Sequence, residues 1–187
     1  MAMQLFGQRG FFNTTVEDIT EAADVGKGTF FNYFPSKEQV FGVLYDIQLK
    51  KVSDARAAAQ SGKFSLRDLL RQFVHQIAEE PGRNQQLARG LVATVVSSEA
   101  VRKMHLQTMK RGRHILGEVL KLGQKRGEIR LDLAPEELVR ILQESLIGAV
   151  LLWSVGPSSN LQKRLDAMFE IYWSGISLPV RKGAELS

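Results

Sequence analysis

Apolar residues recur along the chain at every third or fourth position, and no segment shows the strict alternation of apolar and polar residues that marks a β-strand. Short helices are expected within residues 1–34, followed by a long helix at 36–60. Glycine and proline mark several of the breaks between the later segments. The later helices are predicted at residues 65–79, 85–97, 99–126, 135–154 and 159–176. The pattern therefore predicts an all-α protein.

The helix at 36–60 is predicted to connect two domains. Pro35 ends the segment before it, and Ser36 with Gln39 has the spacing of a capping box. A core-facing stripe is expected at Val40, Val43, Leu44 and Ile47. We divide the chain into a first domain at 1–46, a second at 47–178 and a flexible tail at 179–187. The connecting helix is expected to be the one element that touches both domains.

Residues 14–34 predict a helix-turn-helix. Thr15 with Asp18 has the character of a helix N-cap, and Thr14 with Glu17 offers a second register. Ile19, Ala22 and Ala23 form an apolar face whose small side chains let a second helix cross closely. A tight turn at 24–26, with Val25 expected to be buried, precedes the second helix. In such a unit the second helix enters the major groove of DNA.

The second helix, 27–34, carries side chains suited to reading DNA. Phe30 and Phe34 are four residues apart and are expected to pack inward, which leaves the other residues facing outward. Asn32 is suited to adenine, Lys27 to guanine or phosphate, and Thr29 and Phe31 to thymine methyl groups, while Gly28 allows a close backbone approach. The expected phosphate contacts are Thr15, Tyr33 and Lys37. The alternative is an ordinary helical hairpin with an aromatic core.

Residues 5–45 resemble the N-terminal domain of the tetracycline-repressor (TetR) family, most specifically in the run from Phe31 to Glu38. The resemblance implies an all-α protein with a three-helix helix-turn-helix domain and a C-terminal helical bundle. It also implies a homodimer on a palindromic operator, a repressor that responds to a small-molecule inducer. Asp24 stands where the family usually has glycine, and Gly26 where a capping serine is common. By position, the resemblance puts Val16, Lys27, Gly28, Thr29, Phe31 and Asn32 near bases, and Thr15, Tyr33 and Lys37 near phosphates.

The last two helices are apolar on more than one face, which predicts dimerisation. Two such helices from each subunit would form a four-helix bundle about a two-fold axis. The expected interface residues are Leu152, Val155, Leu161, Leu165, Phe169, Tyr172, Trp173 and Ile176. The alternative is that both helices are buried within one subunit.

A ligand cavity is expected between helices of the second domain. Methionine suits adaptable pockets, and Gln143 and Glu144 lie in an otherwise apolar helix, where they would orient a ligand. Alternatively both face solvent, or pair with Arg140. The expected lining is Phe73, Ile77, Leu91, Val95, Met104, His105, Met109, Leu116, Gln143, Glu144, Ile147 and Leu151. The effector itself is not identified by these residues.

Charge and composition narrow the function further. Residues 1–60 hold six Lys or Arg and seven Asp or Glu, whereas residues 102–130 hold nine Lys or Arg and only two Asp or Glu. This basic stretch is either a nucleic-acid site or the solvated face of a helix. The absence of cysteine excludes thiolate chemistry. No apolar run is long enough to span a bilayer, and the longest candidate, 146–155, is interrupted by Gly148 and Ser154. A cytoplasmic protein without membrane partner is expected.

Catalytic and cofactor chemistry is not indicated. Residues 26–29 only faintly resemble a phosphate-binding loop, and the three histidines show no metal-ligand spacing. We therefore expect no cofactor, no metal and no enzymatic activity. Two functions remain: a dimeric, ligand-responsive DNA-binding regulator with double-stranded operator DNA as partner, or a helical interaction module. The acidic head and a first helix shorter than is usual in the family favour the second, and the outward side chains of 27–37 favour the first.

Overall fold

The computed structural model describes residues 1–157 and 159–179, and within them the chain is built from α-helices. The helices are α1 (Ala2–Arg9), α2 (Val16–Ala22), α3 (Lys27–Tyr33), α4 (Val40–Ser61), α5 (Leu66–Ala78), α6 (Gln85–Ser97), α7 (Glu99–Lys125), α8 (Pro135–Val155) and α9 (Leu161–Ile176). Short 3₁₀ turns precede α4 and α6. The all-α prediction is confirmed. Residues 180–187 of the expected flexible tail lie outside the described residues.

The N-terminal head, α1 to α3 with the first turns of α4, is built on phenylalanine. Phe6 stacks on Phe41 with ring centroids 5.5 Å apart, and Phe11 meets Phe6 edge-on at 5.2 Å. Ile19 of α2 and Phe30 of α3 complete this core. Because these core side chains come from every helix of the head, the orientation of α3 is set by packing rather than by its own seven residues.

The start of α4 differs from the prediction. Ser36 makes no capping hydrogen bond, and a 3₁₀ turn at Lys37–Gln39 leads into an α-helix that begins at Val40. Of the predicted core-facing stripe, Val40 is buried and Leu44 half-buried, but Val43 and Ile47 are exposed, so the prediction is wrong for these last two. Phe41, Tyr45 and Val52 are buried in their place, because the helix must face α7 and the phenylalanine core together.

The C-terminal body is organised around α7 and α8. Helix α7 packs on α4 and α8, and α9 packs on α5 and α8. The loop after α7 is fastened to the end of α9, since Arg130 N donates to Ile176 O at 2.9 Å and Leu178 N donates to Glu128 O at 2.9 Å. One continuous apolar core runs from α4 to α9.

Most of the predicted dimer-interface assignments are wrong, because those residues belong to this core. The five on the inner face of α9 are buried by α5 and α8 of the same chain, and Trp173 packs partly against the same cluster. Only Leu152 and Val155 are exposed as predicted. The buried five are Leu161, Leu165, Phe169, Tyr172 and Ile176.

Helix α4 is not the only element that touches both parts of the molecule, contrary to the prediction. Helix α1 crosses α6 at two glycines: a Cβ on Gly7 would lie 3.1 Å from Leu87 Cβ, and one on Gly90 would lie 3.1 Å from Phe6 O. Val101 of α7 is buried in the phenylalanine core of the head. The head is therefore held on the body by α1 and α7 as well as by α4.

Candidate DNA-binding surface and ligand cavity

Local hydrogen bonds position α2 and the turn before α3. Thr15 and Asp18 form a reciprocal capping box, with Thr15 Oγ1 accepting from Asp18 N at 3.1 Å and Thr15 N donating to Asp18 Oδ2 at 2.7 Å. The hydrogen bonds that Thr15 N and Thr15 Oγ1 donate to Asp18 Oδ2 lower the pKa of the Asp18 carboxyl. Thr14, the alternative cap, is buried and donates to Gly10 O at 2.8 Å. The Thr15 register is therefore the one used.

The turn between α2 and α3 depends on a left-handed residue. Asp24 has a φ of 54°, and Val25 N donates to Thr20 O at 3.0 Å. Aspartate tolerates this conformation better than most residues, so it replaces a glycine here. Val25 is 42% exposed, so the prediction that it is buried is wrong; Phe30 is the residue of this segment that joins the head core. Gly26 is the N-cap of α3 and provides no side-chain bond.

Helix α3 exposes the side chains that were predicted to read DNA. Phe30 is buried and Phe34 is half-buried, as expected from their spacing. Phe31 is 49% exposed and Tyr33 76%, and a Cβ on Gly28 would meet nothing within 4 Å. Lys27, Thr29 and Asn32 are exposed as well, and Val16 is half-buried at the start of α2. An aromatic, hydroxyl and amide surface of this kind is unusual without a partner.

Two lysines near this surface are already paired. Lys37 Nζ donates to the carbonyls of Phe11 at 2.7 Å and Thr14 at 2.8 Å, and it lies 4.2 Å from the centre of the Phe11 ring. Lys27 forms an ion pair with Glu17 of α2. The sequence did not predict these partners, because residues that are 10 or 26 positions apart leave no periodic signal. Thr15 Oγ1 is likewise engaged with Asp18, which leaves Tyr33 as the freest of the three predicted phosphate contacts.

A cavity of about 390 Å³ lies in the body between α4, α5, α6, α7 and α8. Nine predicted residues line it, and Met104, Glu144 and Leu151 do not. Met104 packs against the head core instead, and Glu144 pairs with Arg140 at 2.8 Å, the alternative left open by the sequence. The nine are Phe73, Ile77, Leu91, Val95, His105, Met109, Leu116, Gln143 and Ile147.

Sequence reasoning missed the polar residues that α4 and α7 contribute to the cavity. Tyr45, Gln48 and Thr108 all line it. Tyr45 and Gln48 continue the buried row of α4 between Phe41 and Val52, so a polar residue inside an apolar stripe was the available signal. Burial raises the pKa of Tyr45 to about 12 and lowers the pKa of His105, which keeps both groups neutral near pH 7.

A second, larger hollow is an open groove of about 570 Å³ under α3. Val43 and Ile47 of α4 line it together with Tyr33, which explains where the exposed apolar residues of α4 point. Because it is shared with the DNA-facing helix and open to solvent, we do not assign it to the effector.

Helices α8 and α9 each leave a row of apolar and small residues at least partly uncovered. On α8, Ile141, Ser145, Gly148, Leu152 and Val155 follow the three-and-four spacing of a helix-packing seam. On α9, Ile171 is 75% exposed, and a Cβ on Gly175 would meet nothing within 4 Å. By length and composition α8 could also cross a bilayer, although one of its faces is buried in the body. We call these two rows the outer face.

Comparison with known proteins agrees with this architecture. The family model described as "Bacterial regulatory proteins, tetR family" matches residues 1–44, and "Tetracyclin repressor-like, C-terminal domain" matches 63–157. The HTH-type transcriptional repressor DhaR of Mycobacterium sp. (strain GP1) is 30% identical over 172 residues, covering 89% of this chain and 86% of DhaR. The chain belongs to the tetR family. It is accordingly a DNA-binding regulator of transcription and not an enzyme.

Solved structures of tetR-family proteins share the fold over nearly the whole chain. FadR from Thermus thermophilus, in complex with lauroyl-CoA, is 26% identical with a TM-score of 0.65, covering 100% of this chain and 95% of that one. FadR from Bacillus subtilis, in complex with stearoyl-CoA, is 20% identical with a TM-score of 0.74, covering 94% and 95%. In this tetR-family chain, the helix predicted to read DNA is α3.

Proposed function

We propose that this protein is a cytoplasmic repressor that binds a palindromic operator as a homodimer and responds to a small molecule bound in the cavity. The observation that carries the proposal is the exposed surface of α3 held on a rigid aromatic core. Thr29, Phe31 and Asn32 present methyl, ring and amide groups suited to base edges, and Tyr33 adds a hydroxyl for phosphate. This proposal also gives the uncovered apolar side chains of α3 a partner.

The test is a gel shift with DNA from upstream of the protein's own coding region. Asn32→Ala is expected to change the preferred sequence, because an amide reads a base edge. Tyr33→Phe is expected to weaken binding to all sequences alike, because a phosphate contact carries no sequence information. Sequence-independent losses from both variants would contradict the assignment of Asn32, and no shift with any fragment would favour the helical interaction module.

The homodimer is proposed through the outer face of α8 and α9. Its seam spacing, two glycines and exposed Ile171 suit close helix packing about a two-fold axis. A second buried face also accounts for the high apolar content of α8. Dimerisation would hold two α3 helices at the spacing of successive major grooves, about 34 Å apart.

Effector binding is proposed to act on the head through three contacts. The cavity is lined by Tyr45 of α4, Leu91 of α6 and His105 of α7, and each of these helices also touches the head. A ligand that shifts any of them changes the separation of the two α3 helices. A coupling of about 1–3 kcal/mol would change operator affinity about 5- to 150-fold.

Structures with and without an effector test this route. The separation of the two Tyr33 residues is expected to differ between them. An unchanged separation together with a real loss of operator affinity would exclude the route.

The acyl-CoA ligands of the two FadR proteins do not transfer directly to this chain. The cavity is apolar, as an acyl chain requires, but no Lys or Arg lines it to meet the phosphates of coenzyme A. The effector is therefore inferred from the cavity itself.

A further inference from the structure

The cavity contains no group that would be charged at neutral pH. Its polar lining residues are Tyr45, Gln48, His105, Thr108 and Gln143, and no Asp, Glu, Lys or Arg is among the residues that line it. Both polar atoms of Gln143 already have a partner, because its Oε1 accepts from Arg113 Nε at 3.1 Å and its Nε2 donates to Met109 O at 3.1 Å. An ionic ligand would lose its hydration here and gain no counter-charge.

The remaining four polar residues lie together on the wall of the cavity that α4 and α7 form. The rings of Tyr45 and His105 have centroids 5.7 Å apart, and a Cβ on Gly112 would lie 3.7 Å from Val52 Cγ2. Both helices therefore advance in the same direction, and Gln48 and Thr108, three residues beyond Tyr45 and His105, lie at a similar level. This polar wall adjoins the head, since Tyr45 belongs to the head core.

One acceptor on this polar wall has no partner. Gln48 Nε2 faces the carbonyl of Ile77 at 3.4 Å, which fixes the orientation of the amide and directs Oε1 elsewhere. Oε1 is buried and makes no hydrogen bond within the described residues. A buried acceptor without a donor is costly, so a ligand that supplies one gains affinity as well as orientation.

A second part of the cavity wall is apolar. It is formed by Phe73, Leu116, Leu146 and Val150, all of which belong to the main core of the body. At about 390 Å³ the cavity is near the lower limit of sites that hold drug-sized ligands, which favours a compact molecule.

We propose that the effector is a compact, neutral, mainly apolar molecule with a single hydroxyl group, an alcohol or a phenol. The hydroxyl donates to Gln48 and accepts from the groups facing it on α4 and α7, which one oxygen atom can do at once. The apolar part fills the region near Leu116. This inference rests on the proposed ligand-responsive function, since it names the ligand class of the same cavity.

Calorimetric titration of the full chain with three probes of similar size tests this ligand class: 4-butylphenol, butylbenzene and 4-butylbenzoate. We expect 4-butylphenol to bind about tenfold more tightly than butylbenzene, the worth of one hydrogen bond, and 4-butylbenzoate not to bind. Gln48→Leu and Thr108→Val are expected to abolish the preference for the phenol while leaving butylbenzene binding intact. Gln107→Leu, at an exposed position of α7 outside the cavity, is the matched control and should keep the preference.

Three results would overturn the proposal: tightest binding by the benzoate, a phenol preference that survives in both cavity variants, or no binding of any probe up to about 1 mM. Gel shifts with the same probes separate this proposal from the proposed function. Binding of 4-butylphenol without any effect on operator DNA would contradict the ligand response and leave the ligand class standing. Release of DNA by the benzoate alone would support the ligand response and contradict the ligand class.

Discussion

Individual polar residues of the head are mostly committed to other residues of the head. Lys37 bridges two carbonyls of the loop before α2, Lys27 pairs with Glu17, and Arg9 pairs with Asp18 at 3.0 Å. The three Lys and Arg side chains of residues 1–46 therefore all have partners within the protein. DNA must compete with these partners for the cations. We therefore expect operator binding to depend on the partner residues as well as on the cations.

Glu17→Gln is expected to strengthen operator binding about two- to fivefold. The change releases Lys27 for DNA, and an exposed ion pair of this kind is worth only about 0–1 kcal/mol. Gel shifts over a range of salt concentrations measure the effect. Glu21→Gln on the same helix removes the same charge without releasing Lys27 and should have a smaller effect. Equal gains from both variants would show that overall charge, and not the pair, is responsible.

Lys37→Met is expected to loosen the loop at residues 10–15 in the absence of DNA. The variant keeps the aliphatic part of the side chain but loses two charge-assisted hydrogen bonds, which together contribute about 1–3 kcal/mol. Amide hydrogen exchange of residues 10–15 is the measurement, with Lys63→Met, at an exposed position, as control. Unchanged exchange would return Lys37 to the role predicted from sequence, a phosphate contact.

At the scale of elements, the junction between head and body depends on the crossing of α1 over α6. Gly7 and Gly90 bring the two helices together, and Gln86 Nε2 donates to Gln8 O at 2.6 Å across the same crossing. Helix α6 also lines the cavity through Leu91 and Val95. A displacement of α6 by a ligand would therefore reach α1 directly.

Gly90→Ala is expected to destabilise the junction and weaken operator binding. The added methyl group would lie 3.1 Å from the Phe6 carbonyl oxygen, a backbone atom that cannot move aside without α1. The expected cost is about 1–3 kcal/mol, the usual range for overpacking. Thermal unfolding and gel shifts measure the two effects.

Gly42→Ala is the control for this substitution. Its Cβ would meet only the Gln39 side chain, at 3.9 Å, and a helical alanine in place of glycine should stabilise by about 1 kcal/mol. If the two variants behaved alike, the tight crossing would not be what holds α1 in place.

At the scale of the whole molecule, the outer face consists of apolar and small residues that the subunit does not bury and that a second chain would cover. Helix α9 buries five large side chains within the subunit and still exposes Ile171. Helix α8 exposes Leu152 and Val155 at the far end of its seam. Dimerisation through this face would cover apolar surface that the monomer leaves in water.

Ile171→Glu is expected to yield a folded monomer that binds operator DNA weakly. The side chain is exposed in the subunit, so the charge should disrupt only the interface. Analytical ultracentrifugation gives the oligomeric state and circular dichroism the fold. Leu131→Glu, at a residue 72% exposed outside α8 and α9, is the matched control and should remain dimeric. A dimeric Ile171→Glu protein, or a monomeric unmodified chain, would contradict the proposed interface.

The sequence by itself determined the helices and the outward face of α3. Helix bounds follow from caps, breakers and apolar spacing within a few residues, so α6 falls at 85–97 as predicted and Thr15 caps α2. The inward position of Phe30 follows from the same local geometry. The family resemblance over residues 5–45 rested on such local features as well.

Only the tertiary structure decided which apolar face is covered by which neighbour. Periodicity shows that α9 has two apolar faces but not that Phe169 belongs to the core of its own subunit and Ile171 to the outer face. Periodicity likewise predicted that Val43 and Ile47 of α4 are buried, whereas Phe41 and Tyr45 are buried in the structure. The partners of Lys37 and the unpaired Gln48 oxygen depend on residues 23 to 29 positions away, which only long-range packing brings together. Local spacing fixes the direction of a side chain relative to its own helix, whereas burial depends on where the other helices lie.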